Sequence, residues 1–337
     1  MGKILITGAS GFIGSHLVKQ LLDDSVNFKK LRLFIPKGES LENLPNKNFD
    51  IVWADIREKN AVKKAVENVD VIYHLAARIG FDGKIHNDYF EINVDGTQNL
   101  LNAVSKNKIQ KFVSFSSVAV FGLPAYVGDM NNINNDSPKN YGDIYGETKL
   151  EAEKRVIQAH KKHGIPYSII RPTSVYGPGD KKNILPLYKA IKKGYFFFIG
   201  NGENKLDYIY VGDLVKGVIQ SQRSKLQSGE YIMGVEKTPT LNEVVNCVAE
   251  SIGVKATKMR VPKSLGYSIS YITYFGNKFL GTHLPFYPGR VRAMTSNFYF
   301  DISNAKKEIG YNPNTTFKKG SQLTANWIRT QGIFENE

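Results

Sequence analysis

Three glycines stand between a short apolar run and an amphipathic stretch near the start of the chain. Residues 3–7 are apolar and predict a β-strand, residues 13–22 have the spacing of an amphipathic helix, and Gly8, Gly11 and Gly14 mark the turn between them. Glycines in such a turn let the backbone approach a diphosphate, and the free N–H groups of the following helix attract negative charge. The pattern predicts a dinucleotide-binding turn, although any tight strand-to-helix turn also favours glycine.

Short apolar strands alternate with helical stretches through the first half of the chain. The predicted strands are residues 3–7, 31–35, 51–54, 69–75, 111–116 and 167–171, and the predicted helices are residues 13–22, 59–66, 93–106 and 145–163. Such alternation builds a parallel sheet with helices on both faces. We therefore expect an α/β fold, a Rossmann-type doubly wound parallel sheet. After residue 178 the pattern loosens, which indicates a smaller C-terminal substrate lobe.

A phenol and an ammonium lie four residues apart at Tyr145 and Lys149. On a helix this spacing places both side chains on one face. Since a free tyrosine has a pKa of about 10, acid/base work near neutral pH needs a shift of roughly three units, which a nearby cation and a bound cofactor could supply. With 18 tyrosines in the chain the pattern can also arise by chance. A predicted strand that ends in Ser116 and Ser117 adds hydroxyls at a sheet edge where ligands bind.

Composition narrows the class of protein further. The chain has 337 residues, of which 42% are hydrophobic, and this is enough for a large core. The single cysteine, Cys247, excludes an internal disulfide and a cysteine-cluster metal site. The six histidines show no ligand spacing, and His74 lies on a predicted strand as a core residue. We therefore expect no metal.

The net charge is +14, from 45 basic and 31 acidic residues. Such a surplus of positive charge is typical of proteins that bind nucleic acid, a membrane surface or an anionic small molecule, and it also occurs in proteins that simply have a lysine-rich surface. The basic residues are scattered and match no nucleic-acid motif, so we expect no nucleic-acid partner. The start of the chain does not have the pattern of a signal peptide, and no apolar run in the sequence reaches 18 residues. We therefore expect a cytoplasmic protein with no membrane span.

Seven further motifs follow the glycine turn along the chain. They are WADIR at 53–57, YHLAA at 73–77, NVDGT at 93–97, SSVAVFG at 116–122, RPTSVYGPGD at 171–180, DYIYVGDL at 207–214 and AKKEIGYNP at 305–313. In content and order they resemble the extended short-chain dehydrogenase/reductase superfamily, the NAD-dependent epimerase/dehydratase family. The resemblance implies an NAD(P)-binding Rossmann domain at residues 1–177, to which the chain returns near 205–222. Residues 178–337 would then form mainly the substrate-binding lobe.

The resemblance also assigns roles to individual residues. The expected cofactor-binding residues are Gly8, Gly11, Phe12, Ile13 and Gly14 at the diphosphate, Asp55 and Ile56 at the adenine, Leu75, Ala76, Ala77 and Asn93 along the cleft, and Pro172 and Thr173 near the nicotinamide. Tyr145 would exchange a proton with the substrate oxygen, and Lys149 would also bind the nicotinamide ribose. Ser117 would hydrogen-bond that oxygen. Ser116 stays open as the alternative, because sequence does not separate two adjacent hydroxyls.

Cofactor choice departs from the usual pattern. NAD-binding members place an acid at the end of the second strand, where it accepts from the ribose 2'-hydroxyl. Here residues 31–35 are followed by Pro36 and Lys37. Lys37 could pair with a 2'-phosphate or be an ordinary loop lysine. We favour NADP, with NAD as the alternative.

Substrate choice departs as well. Sugar-nucleotide members carry an asparagine and an arginine at positions where this chain has Ser174 and Leu206, and leucine has no donor. Residues 261–284 are apolar and aromatic, and residues 291–301 resemble the 3β-hydroxysteroid dehydrogenase and dihydroflavonol reductase branches. The favoured function is a dehydrogenase or reductase of an apolar or aromatic alcohol/ketone pair.

Two other functions stay open. One is a nucleotide-sugar (UDP-sugar) epimerase or dehydratase with tightly bound NAD. The other is a catalytically silent dinucleotide-binding regulator, against which the intact set of Ser117, Tyr145 and Lys149 argues. The resemblance further implies a homodimer formed through the helices after the fourth and fifth strands.

Overall fold

A computed structural model describes residues 2–23, 30–79, 86–280 and 287–335. Its strands are β1 (Lys3–Thr7), β2 (Lys30–Ile35), β3 (Asp50–Trp53), β4 (Val69–His74), β5 (Lys111–Phe115), β6 (Met130–Ile133), β7 (Tyr167–Pro172), β8 (Ser174–Tyr176), β9 (Phe198–Ile199), β10 (Tyr208–Tyr210), β11 (Glu230–Met233), β12 (Arg260–Val261) and β13 (Phe298–Phe300).

The helices alternate with these strands. They are α1 (Phe12–Asp23), α2 (Lys59–Ala65), α3 (His86–Phe90), α4 (Gly96–Val104), α5 (Pro124–Val127), α6 (Ile144–His163), α7 (Leu185–Lys192), α8 (Val211–Arg223), α9 (Leu241–Ser251), α10 (Lys263–Leu280), α11 (Pro288–Thr295), α12 (Ser303–Ile309) and α13 (Phe317–Thr330). A π-helical turn at Glu91–Asp95 joins α3 to α4, and a 3-10 turn at Val118–Phe121 follows β5.

Seven parallel strands form the central sheet, in the order β11-β7-β5-β4-β1-β2-β3. Its sequence order reverses between β1 and β4. In doubly wound sheets the crevice outside the carboxyl ends of the strands at this reversal receives the ligand. The expected α/β class is confirmed, and the glycine turn, which follows β1, lies at this crevice.

Helices cover both faces of the sheet because its strands are apolar on both sides. In β1, Ile4 and Ile6 belong to a core cluster with α1 and α8, whereas Leu5 belongs to a second cluster with α2, α4 and α6. Side chains alternate across a strand, so one short apolar run supports both layers.

The C-terminal lobe has a core of its own. Side chains of α7, α9 and α13 form a third cluster that includes Tyr188, Val245 and Ile328. Chain segments also pass back to the sheet, because α8 packs on α1 and β11 pairs with β7. Cys247 lies half-buried in α9. Within the described ranges, no helix is both long and apolar enough to span a bilayer.

Candidate functional site

The glycine turn after β1 has little room for side chains. Gly8 has a φ of +70°, and a Cβ on it would lie 2.8 Å from the Ala76 amide nitrogen. A Cβ on Gly14 would lie 2.0 Å from the Gly8 carbonyl oxygen. At Gly11 the same atom would meet only that carbonyl, at 3.3 Å. Gly8 therefore permits close approach of the turn to the segment after β4, and Gly14 permits close packing of α1 on the turn. Gly11 leaves the outer side of the turn open to a ligand.

The start of α1 offers backbone donors at this turn. The Ser15 amide donates to the Gly11 carbonyl at 2.9 Å, so the amides of Phe12, Ile13 and Gly14 belong to the first helical turn. Amides of a first turn have no acceptor within their helix. Because α1 has no acidic residue in this turn, its positive dipole end is not neutralised there. This geometry fits the diphosphate of a dinucleotide.

Asp55 and Ile56 follow β3 at the expected adenine end. Asp55 accepts two hydrogen bonds from the Arg57 guanidinium, at 2.9 and 2.8 Å, and these hold the pKa of the carboxyl below its usual value. The Ile56 side chain is buried in the second core cluster, so only its backbone is left for an adenine contact. Asp55 keeps lone pairs for a further donor.

His74 ties the end of β4 to its neighbours. Its Nδ1 is hydrogen-bonded to Thr7 Oγ1 at 2.8 Å, and its Nε2 to Thr97 Oγ1 at 2.9 Å. Burial, together with the Lys149 cation, lowers the pKa of His74 to about 3. The prediction of a satisfied core histidine is confirmed. Thr7 Oγ1 also accepts from the Ala76 amide at 3.2 Å, which positions the loop that follows β4.

Asn93 fixes the other end of this loop. It lies in the π-helical turn, where its Oδ1 accepts from the Arg78 amide at 2.7 Å. Its Nδ2 donates to the Arg78 carbonyl at 3.2 Å and to Thr148 Oγ1 at 3.0 Å. The side chain therefore joins the cleft loop, where Leu75, Ala76 and Ala77 lie, to α6. Sequence reasoning missed Thr148, which the helical spacing from Tyr145 and Lys149 could have suggested.

Tyr145 lies in the first turn of α6, directly against the segment after β5. Asp143 caps the helix, since its Oδ1 accepts from the Gly146 amide at 2.8 Å. A Cβ on Gly146 would lie 2.5 Å from the Ala119 carbonyl oxygen, so glycine is needed for this close approach. The approach brings the Tyr145 phenol near the Ser117 side chain, whose hydroxyl acts to lower the pKa of the phenol.

The two serines after β5 differ in their surroundings. Ser117 is half-buried, and its Oγ accepts from the Ala119 amide at 3.1 Å in addition to its contact with Tyr145. Ser116 is buried, and its Oγ is among the buried side-chain atoms of the described residues that have no hydrogen-bond partner. The geometry thus favours Ser117 as the hydroxyl beside the phenol.

The pKa of Tyr145 lies above its ordinary value. Burial raises this pKa to about 12, and the Asp143 carboxylate adds to the effect, while the hydrogen bond with Ser117 opposes it. Lys149 Nζ donates to the Phe115 carbonyl, and its own pKa is lowered to about 8 by burial, against the opposing effect of Glu153. Loss of hydration therefore dominates the pKa of the phenol in the protein alone. The downward shift expected from Lys149 together with the charge of a bound cofactor stays a prediction.

A buried ion pair braces α6 against β7. The fully buried Arg171 guanidinium binds both carboxylate oxygens of Glu153, at 2.9 and 2.7 Å. It also donates to Asn135 Oδ1 at 3.0 Å and contacts the Glu230 carboxylate. Glu153 is eight residues after Tyr145 on the same helix. Arg171 stood in a recognised motif, but sequence reasoning assigned neither residue a role.

Pro172 is the last residue of β7 and Thr173 follows it, and both are buried. The Thr173 hydroxyl donates to Asp207 Oδ1 at 2.9 Å, and its amide donates to the Met233 carbonyl at 3.1 Å. Burial raises the pKa of the Asp207 carboxyl to about 7. Thr173 thus joins the end of β7 to Asp207, which directly precedes β10, and to the end of β11.

Lys37 lies exposed in the turn after β2, at the carboxyl edge of the sheet next to β1. A backbone bond from the Glu39 amide to the Pro36 carbonyl, 3.3 Å long, closes this turn. The position suits either a contact with an adenosine ribose or an ordinary surface lysine.

Leu206 and Ser174 are the two positions at which the sequence departs from the sugar-nucleotide pattern. Leu206 packs into the apolar clusters, and the Ser174 amide donates to the Asp207 carbonyl at 3.2 Å. Two cations stand nearby. Lys263 Nζ is 3.4 Å from the Thr295 carbonyl, and Lys205 Nζ lies 5.1 Å from the Tyr299 ring centroid. Positive charge is therefore present at this edge of the lobe although residue 206 supplies none.

Among the residues that the structure describes, no cluster of three or more His, Cys, Asp or Glu side chains could hold a metal ion. Of the apolar segment 261–284, residues 281–284 lie outside the described ranges.

Comparison with known proteins defines the class. The sequence model of the NAD dependent epimerase/dehydratase family matches residues 4–234. The chain belongs to this family, as the motifs indicated, and is therefore an enzyme of the NAD-dependent epimerase/dehydratase type.

Individual relatives divide between two substrate classes. The chain is 31% identical to the uncharacterized UDP-glucose epimerase YtcB of Bacillus subtilis, over 99% of this chain and 100% of that protein. It is 28% identical to the 3beta-hydroxysteroid-dehydrogenase/decarboxylase isoform 1 of Arabidopsis thaliana, over 95% of this chain and 78% of that one. A crystal structure of UDP-glucuronic acid 4-epimerase from Bacillus cereus in complex with NAD is similar with a TM-score of 0.77 and 25% identity, covering 98% and 99% of the two chains.

Proposed function

We propose that this protein is a nucleotide-sugar epimerase that inverts a hydroxyl-bearing carbon of a UDP-linked sugar with tightly bound NAD. The observation that carries the proposal is the end-to-end similarity to proteins named as UDP-sugar epimerases, one by sequence and one by structure. This reverses the preference drawn from the motifs, which favoured an apolar ketone.

The chain supplies the acid/base groups that such a reaction needs. NAD, when bound, would supply the hydride acceptor and donor for the sugar carbon. Tyr145 accepts the hydroxyl proton as the carbonyl forms and gives it back as the hydroxyl is restored, so no net oxidation occurs. Ser117 donates a hydrogen bond to the same oxygen. Because burial raises the pKa of Tyr145 to about 12, base action requires the positive charge of Lys149 and of the oxidised cofactor nearby.

A UDP-sugar needs cations at its diphosphate. Leu206 cannot serve, because leucine has neither donor nor charge. Lys205 and Lys263 flank the segment 295–299 next to Leu206, and we assign them this role. Lys205→Ala and Lys263→Ala should each raise KM for UDP-sugar more than they lower kcat, since they hold a part of the substrate that does not react.

The test is direct. Purified protein, with no added cofactor, is incubated with UDP-glucose and separately with UDP-glucuronic acid, and the sugar anomeric protons are followed by NMR. We expect conversion to the 4-epimer without net change in absorbance at the nicotinamide band. Tyr145→Phe should lower turnover by about 100- to 10,000-fold while cofactor affinity stays nearly unchanged. Tyr141→Phe, an exposed tyrosine nearby, is the matched control.

Oxidation of an apolar alcohol is the second candidate. The hydroxysteroid dehydrogenase relative and the missing donor at Leu206 favour it. Three results together would replace the epimerase proposal with this one. A steroid-like ketone would be reduced with consumption of stoichiometric reduced cofactor, neither UDP-sugar would give an epimer, and UDP would not change the melting temperature.

Cofactor preference is tested separately at Lys37. We propose NAD, because NAD is bound in the B. cereus structure, while the exposed Lys37 at the end of β2 supports NADP as the alternative. If Lys37 pairs with a 2'-phosphate, Lys37→Ala weakens NADP(H) by roughly 1 to 3 kcal/mol and leaves NAD(H) unchanged. If titration gives the variant and the unmodified protein the same affinity for each cofactor, Lys37 is an ordinary surface lysine, and this result would support NAD.

A further inference from the structure

One helix of the C-terminal lobe has its large apolar side chains on the outside. In α10, Leu265, Ile269, Tyr271, Ile272 and Tyr274 are between 42% and 71% exposed. Leu265, Ile269 and Ile272 follow one another at helical spacing on one side of the helix, and we call these three side chains the α10 face. In a water-soluble domain an amphipathic helix directs such residues inward, and a contiguous apolar patch marks an interaction surface.

The helix is attached to the lobe through small residues. A Cβ on the buried Gly266 would lie 2.8 Å from Ile199, and Ser270 is fully buried with its hydroxyl bonded to the Tyr267 carbonyl at 2.7 Å. Gly266 and Ser270 are one helical turn apart, so they define the inward side. The large residues are thus not needed for attachment, which leaves the α10 face for another partner.

The stretch of chain that carries this face has charge of one sign. From residue 251 to residue 300 the sequence contains seven Lys and Arg and no Asp or Glu. Lys255 and Lys258 are exposed in the segment just before β12, and Met259 beside them is 55% exposed. A chain segment that combines exposed aliphatic and tyrosine side chains with lysines has the composition of segments that lie in the interface of a bilayer.

We propose that the α10 face docks on an anionic lipid bilayer, with Leu265, Ile269 and Ile272 inserted below the headgroups and Lys255 and Lys258 among the lipid phosphates. A second copy of the chain is the less suitable occupant, because two such faces would bring like charges together. A nucleic acid would satisfy the lysines but not the aliphatic side chains. Each basic residue near an anionic surface, and each buried apolar side chain, strengthens such binding.

The experiment is sedimentation of the intact protein with vesicles of phosphatidylcholine alone or mixed with phosphatidylglycerol. We expect binding to the anionic vesicles that weakens as salt is raised. Ile272→Asp and Leu265→Asp should each lower the partition coefficient at least about tenfold. Leu323→Asp, on an exposed leucine of α13, is the matched control and should bind as the unmodified protein does. Replacing Lys255 and Lys258 by Gln should reduce binding, whereas Gln at Lys106 and Lys108, which are also exposed, should not.

A spectroscopic readout keeps the proposal testable if an aspartate variant folds poorly. A polarity-sensitive dye is attached to Ile272→Cys, and for comparison to Leu323→Cys, in a Cys247→Ser background. Only the label on α10 should shift to the blue with anionic vesicles. The proposal is overturned by absence of vesicle binding, by equal binding of the α10 and α13 variants, or by a concentration-dependent dimer that Ile272→Asp dissociates while vesicles have no effect. Binding to an oligonucleotide in place of vesicles would equally overturn it.

Discussion

Ser116 and Ser117 are adjacent in sequence, yet only Ser117 lies beside the Tyr145 phenol. The backbone turns sharply after β5, so Ser117 meets Tyr145, while Ser116 points into the protein and donates its amide to the Ile170 carbonyl at 2.7 Å. The difference comes from the position of α6 relative to the strand end. A motif of two hydroxyls contains no information on that position.

Ser117→Ala should lower turnover by about 100-fold or more, because it removes a donor aimed at the reacting oxygen. Ser116→Ala should change turnover little and leave stability unchanged or slightly higher, since its buried hydroxyl makes no hydrogen bond that would be lost. Steady-state kinetics and thermal melting of the two variants compare them directly. The reverse order of effects would transfer the catalytic role to Ser116.

His74 links stability to pH. Its pKa is about 3 in the folded protein against an ordinary value of 6.5, so between these values the unfolded chain binds a proton that the folded protein does not. The stability that His74 contributes is therefore present above pH 6.5 and declines as the pH falls toward 3. The stability gap between the protein and His74→Asn should narrow by about 2 kcal/mol from pH 7 to pH 5. The free energy of unfolding of both proteins is measured in urea at each pH. A constant difference between them over that range would contradict the lowered pKa of His74.

At the scale of elements, helix α6 organises the candidate site from one end to the other. Its first turn touches the 3-10 turn after β5, its middle holds Lys149 against the end of β5, and Glu153 pairs with Arg171 of β7. Removing one partner of a buried ion pair costs about 3 to 5 kcal/mol of stability, so the pair of Glu153 and Arg171 resists displacement of the helix. The phenol is thereby held in place by contacts that extend well beyond its own turn.

Gly146→Ala tests the contact between α6 and the 3-10 turn. The added methyl group would overlap the Ala119 carbonyl, so the helix start must move, at a cost of about 1 to 3 kcal/mol. Turnover should fall because Tyr145 and Ser117 separate. Lys161→Ala, on an exposed position of the same helix, should change the stability by no more than about 0.5 kcal/mol. A Gly146→Ala protein with unchanged melting temperature and turnover would show that the contact is dispensable.

At the scale of the whole molecule, the Rossmann sheet and the lobe meet over the glycine turn. His16 of α1 is hydrogen-bonded to the Pro178 carbonyl at 2.8 Å. Lys181 pairs with Glu42 at 3.2 Å, and Asn43 donates to the Ser10 carbonyl at 3.4 Å. The Lys181–Glu42 pair is exposed and contributes little to stability. These contacts place loops from both parts of the chain around the expected diphosphate position.

The homodimer stays a prediction at this scale. Helices α4 and α6, which follow the fourth and fifth sheet strands, pack side by side and present an outer surface. Sedimentation velocity should show a dimer, and Gln158→Trp, on the exposed side of α6, should shift it toward monomer. Ile272→Asp on the distant α10 should leave the dimer intact. If the protein is a monomer at all concentrations, the prediction of a homodimer is wrong.

Much of the fold could be predicted from the sequence because its signals are local. Strand and helix periodicities, and a glycine turn between them, depend on residues a few positions apart. The predicted helix at 93–106 shows the limit of such signals. The structure has a π-helical turn at Glu91–Asp95 before α4, where Asn93 reaches Arg78 and Thr148. That turn depends on partners 15 and 55 positions away.

By itself the sequence determined the α/β class, the position of the glycine turn and the family, because apolar periodicity and a few required glycines are readable in order along the chain. The tertiary structure alone decided that Ser117 rather than Ser116 meets the phenol, that burial raises the pKa of Tyr145, and that α10 turns its large side chains outward. Each of these depends on which distant residues exclude water from a given atom, and exclusion of water is a property of the packed molecule.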